Sequence, residues 1–132
     1  MTMIDKLAWI RLDNSQLLAA RSHHRDVYYI PGGKREAGET DQQALTREIQ
    51  EELSVELLPD SIQFVGEFTA PADGKPAEVL VRMRCYAADY RGKLAPAAEI
   101  AEMAWLTYAD RPYVSAVAQL IFDSLHQAGQ LH

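Results

Sequence analysis

Glu48, Glu51 and Glu52 stand at i, i+3 and i+4, a spacing that places three carboxylates on one side of a helix. Charges of one sign crowded in this way repel, and a divalent cation removes that cost. Mg2+ takes oxygen ligands, keeps several waters and is usually completed by substrate phosphates. The chemistry on offer is therefore metal-assisted work on a phosphate. Taken alone, the run EIQEE reads more naturally as a solvated helix face. Upstream of it stand Gly33, Glu39 and Arg47. Ahead of them, Pro31-Gly32-Gly33 can bring backbone carbonyls close to a ligand, because glycine permits approaches that a side chain blocks.

The helix that must carry these glutamates is marked in the sequence. Thr40 followed by Gln43 is a capping box, in which hydroxyl and amide satisfy orphan backbone donors, so a helix is predicted to begin there. From Asp41 to Leu53 the apolar residues Leu45, Ile49 and Leu53 recur at intervals of four, the mark of one buried stripe, with the carboxylates beside it.

Written as a pattern, the stretch is G-x5-E-x7-R-E-U-x-E-E-x-G-U, with U apolar, and Gly33 to Val55 fill it except that Ser54 replaces the second glycine. At roughly one in fifteen per fixed residue, six matches in register arise by chance in such a chain with a probability on the order of 10⁻⁵. The chain thus resembles the Nudix hydrolases of MutT-like type. That resemblance implies an α/β fold, a Nudix-type α/β/α sandwich with a mixed sheet between the box helix and a C-terminal helix, in a single domain over residues 1–132. It implies hydrolysis of a nucleoside diphosphate linked to a moiety X, with a nucleotide-sensing module that lacks turnover as the contrasting reading. Intact carboxylates in REIQEE favour the enzyme. By resemblance, the Gly32 carbonyl, Glu48 and Glu52 are ligands of Mg2+ or Mn2+, with Glu51 a further one. The general base is one of Glu48, Glu51, Glu52 and Glu99. Glu99 enters because an acidic residue shortly before a tryptophan, here Trp105, often reaches the metals or the water in the family; Glu102 is the second choice. Gly33, Glu39 and Arg47 brace the loop and helix. Arg21 and Lys34 are expected to grip phosphate oxygens. Ser54 falls where glycine would end the helix in a left-handed conformation, at a cost on the order of 1 kcal/mol.

Composition narrows the partners. A chain of 132 residues, 48% hydrophobic and 24% charged, is expected to form one soluble domain. Its formal charge of -6 argues against a general nucleic-acid surface and leaves a small nucleotide as the expected partner. The single Cys85 excludes an internal disulfide and fits a cytoplasmic protein, buried in a strand. Neither a signal segment nor a run of membrane-spanning length is expected. Monomer and homodimer are equally compatible with the sequence. The absence of a long insertion favours a small substrate such as a nucleoside triphosphate over ADP-ribose, a nucleotide sugar or a dinucleoside polyphosphate.

Strands are expected at Asp5–Leu12 and Gln16–Arg21, joined as a hairpin by Asp13-Asn14-Ser15. The loop with His23 and His24 reads as surface, since adjacent side chains of an extended segment point opposite ways. Brief strands or extensions follow: Val27–Ile30 as a strand, Val55–Leu58 as a prolongation of the helix. A strand at Ile62–Thr69 leads through an Asp73-Gly74 turn into a long one at Glu78–Tyr90. There Val79, Val81, Met83 and Cys85 mark a core face, and Arg82 and Arg84 on the other face are either solvated or line a pocket for an anionic substrate. A strand around Trp105 and a helix begun by Asp110 and Pro112, with Val114, Val117, Ala118, Ile121 and Leu125 buried, complete the chain.

Overall fold

Because successive side chains of a strand face opposite ways, the run Leu7-Ala8-Trp9-Ile10 supplies two layers at once. Leu7 and Trp9 are buried in one apolar cluster, Ala8 and Ile10 in another. The run belongs to β1 (Thr2–Ile10) of a computed structural model that describes residues 2–132. After it come β2 (Leu12–Asp13), β3 (Gln16–Ser22), β4 (Gly32–Lys34), α1 (Asp41–Leu53), β5 (Glu56–Leu57), β6 (Gln63–Pro71), β7 (Val79–Ala87), β8 (Tyr90–Arg91), β9 (Ile100–Leu106) and α2 (Ala116–Gln127).

The main sheet has the order β4-β1-β7-β6. β1 runs parallel to β7 and antiparallel to β4, and β6 antiparallel to β7, so the sheet is mixed. β2, β3 and β9 form a second, antiparallel sheet, and β5 pairs with β8. Ala44, Leu45, Ile49 and Leu53 of α1 meet Leu7, Trp9 and Leu18 on one side. Val117, Ala118, Ile121, Phe122 and Leu125 of α2 meet Ala8, Ile10, Leu17 and Ala19 on the other. Each such Leu or Ile stabilises the fold by about 1.5–3 kcal/mol when fully buried. Two helices thus enclose a mixed sheet, the α/β/α arrangement that the motif implied.

Helix α1 begins as its sequence dictates. Gln43 N donates to Thr40 Oγ1 at 3.1 Å, and Thr40 N to Gln43 Oε1 at 2.9 Å. It ends at Ser54, whose φ of 67° is left-handed and whose N–H donates to Gln50 O. Ser54 Oγ also donates to Ala95 O at 3.1 Å, a bond that glycine could not make.

Several expected elements differ. The hairpin is confined to β2 and β3, turning through Asn14 and Ser15, both at positive φ. β1 instead joins the other sheet, because its two-sided apolar character suits an interior position with partners on both edges. Val27–Ile30 forms single bridges, Ala20 with Tyr29 and Tyr28 with Val114, rather than a strand. Val55–Leu58 does not prolong the helix; the left-handed Ser54 redirects the chain into β5. The long strand stops at Ala87. Asp110 and Pro112 lie in a 3₁₀ segment, Tyr108–Tyr113, and Val114 is extended, so α2 starts only after Ser115. Among the described residues no helix is long and apolar enough to cross a membrane.

Candidate active site

The site is set by two glycines. Gly32, in β4, has φ of 147°, and a Cβ there would lie 2.0 Å from the Leu7 carbonyl oxygen. A Cβ on Gly33 would lie 2.5 Å from a carboxylate oxygen of Glu48. Glycine at 32 lets β4 lie close against the β1 backbone, and glycine at 33 leaves the space that the Glu48 carboxylate occupies. Gly32 N donates to Glu52 Oε1 at 3.1 Å, and Glu52, 3% exposed, is the buried charged residue among those described.

Arg47 fastens the assembly. Its Nε and Nη2 donate to the two oxygens of Glu39 at 2.7 and 2.9 Å, a bidentate fork. Nη1 donates to Glu48 Oε1 at 2.9 Å, and Nη2 also to the Lys34 carbonyl at 3.1 Å. Glu39 in turn accepts from Glu36 N, and the fork together with that bond holds its pKa down at about 2. Glu39 and Arg47 are thus bound to each other, and Arg47 also to Glu48 and the Lys34 carbonyl.

Glu48 and Glu52 open into a cavity of about 450 Å3. Glu99 lines it with them, as do Lys6, Arg25, Lys34 and Lys75, while Ile4, Val27, Val81, Met83 and Val117 give it an apolar wall. Burial pushes the Glu52 pKa up to about 8, against the Gly32 hydrogen bond and with help from the neighbouring Glu48 and Glu99. Burial also raises Glu48, opposed by Arg47.

Glu48, Glu52, Glu99, Gly32, Gly33 and Lys34 all line this cavity. Glu51 sits apart at the surface, 56% exposed at its side chain and 3.5 Å from Arg47 Nη1. Three expected phosphate ligands are turned elsewhere. Arg21 Nε donates to Glu102 at 2.8 Å, so Arg21 and Glu102 satisfy each other outside the cavity wall. Arg84 is held by Asp41 and Glu67, and Arg82 faces Asp5. Strand alternation explains both: Val81 and Met83 face the cavity, so Arg82 and Arg84 face away. His23 and His24 are exposed, as expected of a surface loop. Cys85 is buried, and burial raises its pKa to about 12.

Lys6, Arg25, Asp73 and Lys75 were not foreseen. For Lys6 a signal existed: Ile4, Lys6, Ala8 and Ile10 share one face of β1, and a lysine within an apolar face needs a reason. Arg25, Asp73 and Lys75 reach the cavity from loops, where no periodicity points to them.

The family model described as the NUDIX domain matches residues 5–121, and the chain belongs to that family, the Nudix pyrophosphohydrolases. Three solved structures resemble it over nearly its full length. The ORF135 protein of E. coli is 24% identical, with a TM-score of 0.75, over 97% of this chain and 94% of that one. A MutT Nudix hydrolase from Burkholderia pseudomallei is 15% identical, with a TM-score of 0.77, over 93% and 98%. The MutT protein from Methanosarcina mazei is 16% identical, with a TM-score of 0.76, over 97% and 96%. A sequence search of the curated proteins finds no match.

Nudix hydrolases generally use a divalent metal, and the donors here fit one. They are carboxylate oxygens, which suit a hard cation. The raised pKa of Glu52 means that a proton stands where positive charge is wanted. No three His, Cys, Asp or Glu side chains among the described residues converge tightly enough to enclose an ion. The set therefore suits an open site, in which Glu48 and Glu52 supply part of the coordination and a backbone carbonyl, water and substrate the rest.

Proposed function

We propose that this chain hydrolyses a nucleoside diphosphate linked to a further group X, giving a nucleoside monophosphate and phosphorylated X, or pyrophosphate when X is phosphate. The substrate is a small nucleotide such as a nucleoside triphosphate. One observation carries this reading: one cavity is lined by the carboxylates of Glu48, Glu52 and Glu99, by the cations of Lys6, Arg25, Lys34 and Lys75, and by an apolar wall. Its volume, about 450 Å3, is ordinary for a small-molecule site, for which roughly 300–1,000 Å3 is typical.

In the reaction a water oxygen attacks phosphorus, the anhydride P–O bond breaks, and the leaving phosphate carries away the bonding pair. Glu48, Glu52 and the Gly32 carbonyl would hold Mg2+ or Mn2+, and the ion when bound would offset phosphate charge and make water easier to deprotonate. Glu99 faces this end of the cavity and takes the proton of the attacking water. Lys34 and Arg25 hold phosphate oxygens, and Arg47 keeps Glu48 in place. Little more than positioning and charge stabilisation is needed for phosphoryl transfer.

Purified protein mixed with Mg2+ and a panel of nucleotides should release phosphate or pyrophosphate. Excess chelator should abolish this, and added Mg2+ or Mn2+ restore it. Turnover undiminished in chelator would remove the metal from the mechanism. Binding without turnover across the panel would make the protein a nucleotide sensor instead.

A further inference from the structure

Two lysines meet where the sheet should avoid it. β1 and β4 run antiparallel with Lys6 directly opposite Lys34, and both side chains line the cavity. Like charges directly opposite across a strand pair are destabilising. Elsewhere this acidic chain neutralises its arginines: in the sheets Arg84 has Asp41 and Glu67 and Arg21 has Glu102, and Arg35, just past β4, has Asp5 and Asp41. Among the described residues no ion pair within 4.0 Å closes on either lysine ammonium. Glu52 and Glu48 act on Lys6 only through space, while burial and Lys34 lower its pKa.

We propose that Lys6 and Lys34 form a paired anion site for the doubly charged terminal phosphate of the substrate, so that the enzyme selects an X that is phosphate over an X that is uncharged, such as a sugar. This rests on the hydrolase reading above and deepens it to a substrate class. Charge matching carries the choice. A terminal phosphate bears close to two negative charges at neutral pH and three acceptor oxygens, whereas a phosphate esterified on both sides bears one. Two ammonium groups present two charges and several donors. Lys6 sits on an interior strand of the main sheet, and a group carried by a rigid element is placed more accurately than one on a loop. The repulsion that costs stability in the free protein becomes attraction for the ligand.

The test uses Lys6→Gln and Lys34→Gln. In the first arm, thermal melts are run in chelator with and without inorganic pyrophosphate. Wild type should be stabilised by pyrophosphate; each variant should melt higher than wild type without it and lose most of the gain. In the second arm, kcat/KM is measured with Mg2+ for a nucleoside triphosphate and for a nucleotide sugar of the same base. Wild type should prefer the triphosphate, and the preference should shrink by about 10- to 100-fold in the variants, as expected for hydrogen bonds to a charged group. Pyrophosphate that stabilises Lys6→Gln as fully as wild type, or an unchanged preference, overturns the proposal while leaving the hydrolase reading intact. Loss of pyrophosphate binding in Lys6→Gln, together with wild type that turns over no member of the nucleotide panel, keeps the anion site and overturns the hydrolase reading.

Discussion

Glu52 lies almost wholly out of water, and that burial raises its pKa from 4.5 to about 8, with Glu48 and Glu99 adding to the effect. The folded state therefore holds a proton that the unfolded chain has already released between about pH 4.5 and 8, and stability falls as pH rises through that window. Without metal, the melting temperature should drop from pH 5 to pH 8, by an amount reflecting a few kcal/mol at most. Glu39 and Asp41 do not confuse the measurement: both are held near 2, so their contributions vanish only below the window. Glu52→Gln keeps the oxygen that accepts from Gly32 and should reduce the slope, leaving the part that the raised Glu48 contributes. The same variant should lose at least about a hundredfold in turnover with Mg2+, since the charge a hard cation requires is gone. Near wild-type turnover in Glu52→Gln would shift the site away from this helix. Glu48 and Glu52 were legible in the sequence because their spacing is local and a helix fixes the outcome. Lys6 and Asp73 were not, because strand register and loop closure bring them to the cavity.

The start and buried stripe of helix α1 were readable, since cap and stripe are near neighbours in the chain; its stop was not, because nothing in Val55–Leu58 itself marks the turn into β5. Its C-cap carries an exception. Ser54 adopts a left-handed φ of 67°, which favours glycine by about 1 kcal/mol, yet its hydroxyl donates to Ala95 O. The two effects oppose each other, so Ser54→Gly should change stability by about 1 kcal/mol or less, read from the denaturant midpoint, and leave turnover near wild type. A hundredfold loss of rate would mean that the bond to Ala95 positions the site. The first strand was less readable. Asp13-Asn14-Ser15 marks a turn correctly, but the parallel partner, Val79–Ala87, is distant in sequence and leaves no local trace.

At the scale of the molecule, β1 feeds both cores, with Leu7 and Trp9 toward α1 and Ala8 and Ile10 toward α2. Neither layer can lose its packing without exposing the strand that the other needs. The protein should therefore unfold as one unit. Phe122→Ala, in the α2 layer, should cost about 3–5 kcal/mol. It should lower the midpoint followed by tryptophan fluorescence, to which Trp9 in the α1 layer contributes, as much as that followed by circular dichroism. Midpoints that separate would show two independent layers.

The C-terminal end of α1 also governs a segment far along the chain. Ala95 N donates to Leu53 O at 3.0 Å and Ala97 N to Glu52 O at 2.9 Å, while His23 N donates to Glu99 O at 3.0 Å. The stretch from Gly92 to Glu99 is thus stitched at measured intervals between a helix end and a loop, with Glu99 as its terminus. Inserting or deleting one residue there would carry Glu99 out of reach of Glu52. By contrast, the exposed turn from Gly74 to Glu78 has no such stitching to α1, so variation in length is tolerated at one rim of the cavity and forbidden at the other.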